Sequence, residues 1–534
     1  MTKLLLPNFP LFSNALKYAK ETKNIAIDDV RTGNKYNYLD LVFAVSLLRN
    51  QLLGEKRYIF DLEEQRVAIL CPSGFDYVVC QWAIWAAGGV AVPLCTTHPI
   101  PEQVYTLVDS QSTLLLVHPI YKNRQEELVK EHLIETKIVD HDRADLSKAT
   151  LPFLFEMDIQ RRALIIYTSG TTGKPKGAVS THSNINAQTS VLVEAWHWSS
   201  MDRIHHILPL HHVHGVINAL CCPLYAGATV EMHEKFDTKK CFARWVETDT
   251  KKAPRLTTFM SVPTVYSKLV QYYQSATIDD QKVYSKACQQ FRFMVSGSAS
   301  LPNPLREAWL KISNQILLER YGMTELGMAL SQLYDDREEG TVGLPLHGVE
   351  IRLMAESIEG SGVFDHDITH TYNTPGLLQV KGKNVFKEYW QKPEATQKEF
   401  IDGWFITGDF AIRTEEKGYY KILGRGSIDI IKTGGEKVSA LEIEREILSC
   451  ISLGILDVAV IGIPDPEWGQ KVAAVVVPKP SSSPSSELDL LTFRNALKSR
   501  LAVYKVPTLL KIVDELPKNA MGKVTKKDLV PLFQ

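Results

Sequence analysis

Apolar and polar positions follow two rhythms along this chain. Leu11, Phe12, Ala15, Leu16 and Tyr18 share one helical face near the N-terminus, which predicts a first helix. Residues 35–38 predict a short edge strand. Leu41, Val42, Val45, Leu48 and Leu52 predict a helix starting at Leu39. A strand over 66–71, an apolar helix face of Phe75, Val78, Val79, Trp82, Ala83 and Ala86 stopped by Gly88-Gly89, and a strand over 90–93 make a βαβ unit. A helix over 101–110 and a strand over 114–117 begin a second. Strands at 163–167, 205–208, 229–230, 256–262, 291–295 and 316–319, with helices over 216–224 and after Pro263, continue the alternation. The pattern predicts an α/β fold of mostly parallel sheets covered by helices. Several strands run into polar, Gly-containing loops, where open α/β sheets bind ligands.

The rhythm then changes. Segments 376–385 and 403–409 predict strands and turns of a smaller β region. Past Gly424, Ser439 and Glu442 form a capping box that opens a helix running to Cys450. Strands at 458–463, 471–477 and 509–513 and a helix over 487–501 complete a small α+β domain with its own core. Between them, 478–486 is a Pro/Ser-rich connection.

Composition narrows the class. The chain has 534 residues, 45% hydrophobic and 23% charged, with a net charge of −1. That is a multidomain globular chain without a bulk nucleic-acid or membrane footprint. No apolar run reaches the about 18 residues that a membrane span needs. The eight cysteines are scattered without a C-x-x-C pair, which suits a reducing compartment. Met1 to Lys20 carries Lys and no acid, as a weak mitochondrial presequence would, but its apolar face is better read as the first helix of the domain. The C-terminus is not a peroxisomal signal.

The candidate chemistry starts where the strand over 163–167 meets Thr168-Ser169-Gly170-Thr171-Thr172-Gly173-Lys174-Pro175-Lys176-Gly177. Three Gly, two Lys and four hydroxyls can cradle a polyphosphate through backbone N–H groups, hydroxyls and ammonium groups. A solvated linker would share this composition but would not be joined to a buried strand. The common P-loop is excluded: Gly170 and Gly173 are too close, and Pro175 keeps Lys174 extended, so no helix starts there.

This loop matches in full the T-S-G-[ST]-T-G-x-P-K-G pattern and resembles that of the adenylate-forming enzymes (acyl-CoA synthetases, firefly-type luciferases and nonribosomal-peptide adenylation domains). The resemblance extends over nearly the whole chain. Tyr321-Gly322-Met323-Thr324-Glu325, Thr407-Gly408-Asp409, Gly424-Arg425 with Asp429-Ile430-Ile431-Lys432 and Gly434-Gly435, and Pro517 to Lys523 follow in the family's order. It implies a large domain over 1–424, a hinge over 425–428 with Ser427 as the hinge residue, and a mobile C-terminal domain over 429–534. It also implies ATP, Mg²⁺ and coenzyme A as cofactors and a small carboxylic acid as partner. Thr168, Ser169, Gly170, Thr171, Thr172, Gly173 and Lys176 would hold the triphosphate, and Glu325 with Thr171 the Mg²⁺. Ser298, Ala299, Tyr321, Gly322 and Thr324 would line the adenine, and Asp409 and Arg425 the ribose. Lys523 would reach the carboxylate and α-phosphate. Lys432, Gly434 and Gly435 would face the pantetheine arm. Outside that resemblance, Glu325 is an ordinary carboxylate, Asp409 an Asx cap of a turn, and Lys523 one surface lysine among Lys518, Lys526 and Lys527.

Fewer residues bear on the acid. His211-His212-Val213-His214-Gly215 follows a strand and faces the expected acyl side. No nearby Cys or second cluster completes a metal site, so one histidine is read as gating the pocket and another as capping a backbone group. His212 is placed with the catalytic and substrate groups, and His214, Ser296 and Met323 with the substrate groups. Arg320, directly before Tyr321, is costly to bury without an anion. It suits a second substrate carboxylate, or else a structural ion pair with Glu319 or Glu325. The combined wording resembles the malonyl-CoA synthetase branch, implying ligation of malonate or methylmalonate to coenzyme A. The alternatives are a medium- or long-chain acyl-CoA synthetase and a catalytically silent nucleotide-binding protein. The expected compartment is the cytosol, with the mitochondrial matrix as alternative, because no long presequence precedes the domain.

Overall fold

The computed structural model describes residues 3–54, 61–140, 146–168, 174–249, 252–358, 361–426, 428–433, 436–479, 488–518 and 524–533. Among them, two large sheets dominate. One runs in the order Glu388–Tyr389, Lys176–Thr181, Arg162–Thr168, Val90–Pro93, Arg66–Leu70, Leu114–Val117, Glu135–Ile138. Its last five strands pair in parallel, and its first two pairings are antiparallel. The other has nine strands, in the order Leu344–Pro345, Gly327–Ser331, Leu318–Met323, Phe293–Ser296, Thr258–Ser261, Arg203–His206, Thr229–Met232, Ile25–Asp29, Asn34–Asn37. It is parallel from Leu318–Met323 to Ile25–Asp29 and antiparallel at both edges.

The inner parallel strands are buried on both faces, as continuous apolar runs such as Val67-Ala68-Ile69-Leu70 require, whereas the edge strand Glu135–Ile138 is partly exposed. Helices Phe75–Ala86, Tyr38–Gly54 and Pro10–Glu21 supply the cover, with Trp82, Trp85 and Phe12 fully buried among them. A six-stranded antiparallel sheet built on Val349–Glu356, Gly376–Gly382, Trp404–Arg413 and Tyr420–Arg425 follows. The smaller C-terminal domain has a five-stranded sheet around the hairpin Ile455–Asp465 and Gly469–Pro478, packed by helices Ala440–Ser449 and Leu490–Leu497. No helix among the described residues is long and apolar enough to cross a membrane.

Three expectations change. The apolar run over 216–224 is a π-helix, His214–Cys221, continued by the α-helical turn Cys222–Tyr225. The Ser439 capping box is half formed: Ser439 Oγ accepts from the Glu442 N–H at 3.1 Å, but the Glu442 carboxylate pairs with Lys505 at 2.7 Å. The Tyr321-Gly322-Met323 stretch is a strand rather than a loop, paired antiparallel with Gly327–Ser331. A Cβ on Gly322 would lie 1.9 Å from the Gly327 carbonyl oxygen, so this hairpin needs Gly there.

The C-terminal domain is tied to the junction by a buried cation. Lys526 Nζ lies 2.6 Å from Asp429 and 2.7 Å from Glu444. Burial opposes its charge, but Glu444 and Asp429 together raise its pKa. Replacing it by Met leaves two partly buried carboxylates unpaired, which costs about 3–5 kcal/mol. Lys526→Met is expected to lower the urea midpoint of the C-terminal domain, whereas Lys526→Arg retains most of it.

Four histidines, His182, His205, His206 and His214, are buried and held neutral by desolvation, His182 at about 3 and His206 at about 4. Their folded pKa values lie below the unfolded value of about 6.5. The unfolded chain therefore binds the extra protons. Stability is complete above about pH 6.5 and is lost as pH falls, by about 2 kcal/mol at pH 5 for each of His182 and His206. The melting temperature is expected to drop steeply from pH 7.5 to pH 5. The drop should be shallower in His182→Phe, whose ring would keep its packing against Phe9 and Trp85.

Candidate active site

Thr168 and Lys176 face each other across the antiparallel pair Arg162–Thr168 and Lys176–Thr181. The phosphate-type loop therefore joins two strands. The next helix starts only at His182, capped by Thr181 and Asn184, which is incompatible with P-loop geometry. Ser169, Gly170, Thr171, Thr172, Gly173, Ser427, Gly434, Gly435 and Lys523 lie outside the described residues.

Past the loop, Lys176 Nζ sits 3.9 Å from the Tyr389 ring centre and 3.6 Å from Glu399. The Tyr389 hydroxyl donates to Glu325 Oε1 at 2.7 Å. Glu325 is buried at the hairpin turn after Leu318–Met323. Burial and the Glu325 carboxylate push the Tyr389 hydroxyl well above its ordinary pKa, so it stays a donor. Tyr389 and Glu399 escaped the sequence reading because Tyr389 lies in a two-residue strand with no periodicity to detect.

Asp409 and Arg425 are opposed on neighbouring strands. Asp409 Oδ2 accepts from the Tyr321 hydroxyl at 2.6 Å, and Oδ1 from Arg425 Nε at 3.1 Å. Arg425 also donates to the Thr407 carbonyl at 2.7 Å. The Asx-cap alternative does not hold: Asp409 lies inside a strand, and its own N–H donates to Thr407 Oγ1. A carboxylate offers about four acceptor positions, so two remain on Asp409. Gly424 at φ +121° passes against the Asp429 side chain, and Asp429 accepts from the Arg425 N–H at 3.1 Å.

On the other side of Tyr321, Arg320 is 4% exposed. Its Nη2 donates to Ser298 Oγ at 3.0 Å, and its Nε has no hydrogen-bond partner among the described residues. Neither carboxylate considered from sequence reaches it: Glu319 lies 3.4 Å from Arg306, and Glu325 takes Tyr389. Burial alone pulls the guanidinium down to about 9. A Cβ on Gly297 would fall 2.4 Å from Arg320 Nε, so Gly at 297 makes room for the fork. Ser298 takes a left-handed backbone, φ +67°, at the end of Phe293–Ser296, and Ala299 is exposed.

His214 is buried beside this group. Neither ring nitrogen has a partner among the described residues, and burial together with the Arg320 charge keeps it neutral. The Ser296 hydroxyl is likewise buried and unpartnered among them. A histidine outside the predicted three also binds backbone: His206 Nε2 lies 3.1 Å from the Gly215 carbonyl oxygen. His212 is half-buried against His211, and Met323 and Thr324 are half-buried. Lys432 is exposed on the C-terminal domain.

Two family models match this chain: "AMP-binding enzyme" over residues 19–390 and "AMP-binding enzyme C-terminal domain" over residues 442–523. A mitochondrial malonate–CoA ligase (ACSF3) of Mus musculus is 44% identical, covering 98% of this chain and 90% of its own length. A malonate–CoA ligase of Arabidopsis thaliana is 40% identical over 88% of this chain and 78% of its own. Among solved structures, ATP-bound MatB of Rhodopseudomonas palustris superposes with a TM-score of 0.83 at 31% identity, covering 98% and 99% of the two chains. By motif order, by fold and by likeness along its length, the chain belongs to the AMP-binding enzyme family, the adenylate-forming superfamily that its loops resemble.

Proposed function

We propose that this protein is an ATP-dependent acid–CoA ligase whose acid is malonate or methylmalonate. The observation that carries the choice of acid is Arg320, a buried guanidinium with no carboxylate partner among the described residues. A buried charge of this kind costs several kcal/mol without a counter-ion. A substrate with two carboxylates supplies one: the distal group pairs with Arg320, and the proximal group is left to react. The names of the similar ligases from mouse and Arabidopsis support the same acid.

In the first step a carboxylate oxygen bonds the α-phosphorus of ATP and pyrophosphate leaves. In the second the coenzyme A sulfur bonds the acyl carbon, AMP leaves and the thiol proton goes to solvent. Thr168, Lys176 and the loop between them hold the leaving phosphates. Asp409, anchored by Tyr321 and Arg425, offers its two remaining acceptor positions to the ribose hydroxyls. Ser298, Ala299 and the Tyr321 ring lie against the adenine. Lys523 stabilises charge on the carboxylate and α-phosphate. Glu325 suits Mg²⁺, since its buried carboxylate has one oxygen fixed by Tyr389 and hard cations prefer oxygen. When bound, the ion neutralises phosphate charge. Lys432, Gly434 and Gly435 face the pantetheine arm after rotation about 425–428, with 1–424 and 429–534 as the two bodies. The mitochondrial address in the names of the vertebrate relatives favours the matrix over the cytosol; imaging a tagged full-length chain tests this.

The activity is tested by incubating the protein with ATP, Mg²⁺, coenzyme A and malonate, methylmalonate, octanoate or palmitate. Malonyl-CoA with stoichiometric AMP is expected. A silent nucleotide-binding protein would give no AMP with any acid, and a fatty acyl-CoA synthetase would give it with octanoate or palmitate.

A further inference from the structure

We propose that Cys95, His98 and His211 form a binding site for a borderline-soft divalent cation, of the Zn²⁺ class, beside the loop that carries His212. One ligand atom from each of the three lies within 4.8 Å of the others. A thiolate with two imidazoles selects Zn²⁺ over Mg²⁺, which takes oxygen ligands. The residues come from two sheets. Cys95 and His98 follow the strand Val90–Pro93 of one, and His211 follows Arg203–His206 of the other. From sequence the histidine cluster is set aside as a metal site for want of a Cys or a second cluster, because the Cys-Thr-Thr-His segment that supplies both is far away in the chain.

The surroundings are built as metal sites are. Glu102 Oε2 lies 3.1 Å from His98 Nδ1. A carboxylate on one ring nitrogen orients the imidazole and leaves the other nitrogen to ligate. The Cys95 carbonyl accepts from Gln103 Nε2 at 2.6 Å, and the His98 N–H reaches the same oxygen. Arg124 donates to Gln103 Oε1 at 2.9 Å and to the His98 carbonyl. The 95–98 segment is therefore held at both ends. The His211 ring lies 5.8 Å from that of His98 and 4.2 Å from that of His212. Binding converts the Cys95 thiol to a thiolate as the metal–sulfur bond forms, and the proton passes to water. Three protein ligands leave a fourth position for water. Occupied, the site would pin the His212 loop to the segment after Val90–Pro93.

The test titrates Co²⁺ into metal-stripped, full-length protein in excess Mg²⁺. One equivalent with thiolate-to-cobalt charge-transfer absorption is expected, competed away by Zn²⁺. Cys95→Ser should abolish that absorption. His98→Ala, and more weakly Glu102→Gln, should loosen binding by about tenfold or more. X-ray absorption of the zinc-loaded wild type, which needs no variant to fold, should show one sulfur and two imidazole nitrogens. Absence of sulfur from the shell, or wild-type cobalt affinity in Cys95→Ser, overturns the proposal.

Discussion

Arg320→Met is expected to cut kcat/KM for malonate by roughly 10²- to 10³-fold, the size of losing one partner of a buried charge pair, while turnover of butyrate rises. Two effects of opposite sign follow from one group. In the proposed pairing, malonate's distal carboxylate would meet a guanidinium that has only Ser298 as a side-chain hydrogen-bond partner among the described residues. Removing the fork leaves that carboxylate desolvated and unpaired. Met fills similar volume without charge, so an apolar tail of the same length no longer faces a buried cation. Arg320→Lys keeps the charge but loses the planar fork, and should fall between the two. Gly297→Ala tests the same contact from the other side, since its Cβ would displace Arg320 Nε. Equal losses with malonate and butyrate in Arg320→Met would mean that the residue is structural.

Lys523→Ala is expected to lower acid-dependent pyrophosphate release by about 10²- to 10³-fold, the usual effect of deleting a group aimed at charge that develops in the transition state. Thioester formation from supplied malonyl-adenylate should stay within a few-fold of wild type. The split would arise because the proposed mechanism uses Lys523 in the first step only. Its lysine neighbours have other work. Lys518 pairs with Asp457 at 2.7 Å, and Lys526 bridges Asp429 and Glu444. Lys518→Ala, which loses only a half-exposed pair, serves as the near-neutral control. Pyrophosphate release at the wild-type rate in Lys523→Ala would remove this residue from the chemistry.

Local features of the fold were legible where the chain states them locally. Val90–Pro93 and Leu114–Val117 are short apolar runs bounded by turn residues, and both occur as predicted. The partition into two large sheets was not legible. Ile25–Asp29 pairs with Thr229–Met232, and nothing in either segment announces a partner so distant in sequence. Tyr321 to Met323 looked like loop because Gly322 interrupts it. Only the pairing with Gly327–Ser331 makes it a strand, and pairing is not a local property. The all-round apolar run after His214 announced a helix, but apolar periodicity does not distinguish a π ladder from an α one.

The site divides in the same way. Ordered motifs pointed to Glu325, Asp409, Arg425 and Lys176, because fixed spacing survives in a one-dimensional string. Their supports did not show. Tyr389 couples Lys176 to Glu325 from a strand of two residues, and Tyr321 fixes Asp409 through its hydroxyl. Arg320 stood out in sequence as a guanidinium that is costly to bury without an anion. Whether a neighbouring acid would neutralise it depended on where Glu319 and Glu325 turn, and they turn to Arg306 and Tyr389.

The most direct measurement compares kcat/KM for malonate and octanoate in pyrophosphate release by the wild-type protein at saturating ATP and Mg²⁺, followed by thioester yield on adding coenzyme A. Malonate should exceed octanoate by about a hundredfold or more, as expected when a buried polar group loses its partner, and malonyl-CoA should accumulate with AMP. Octanoate turned over as well as malonate, or better, would contradict the pairing of Arg320 with a second carboxylate and the dicarboxylate ligase built on it.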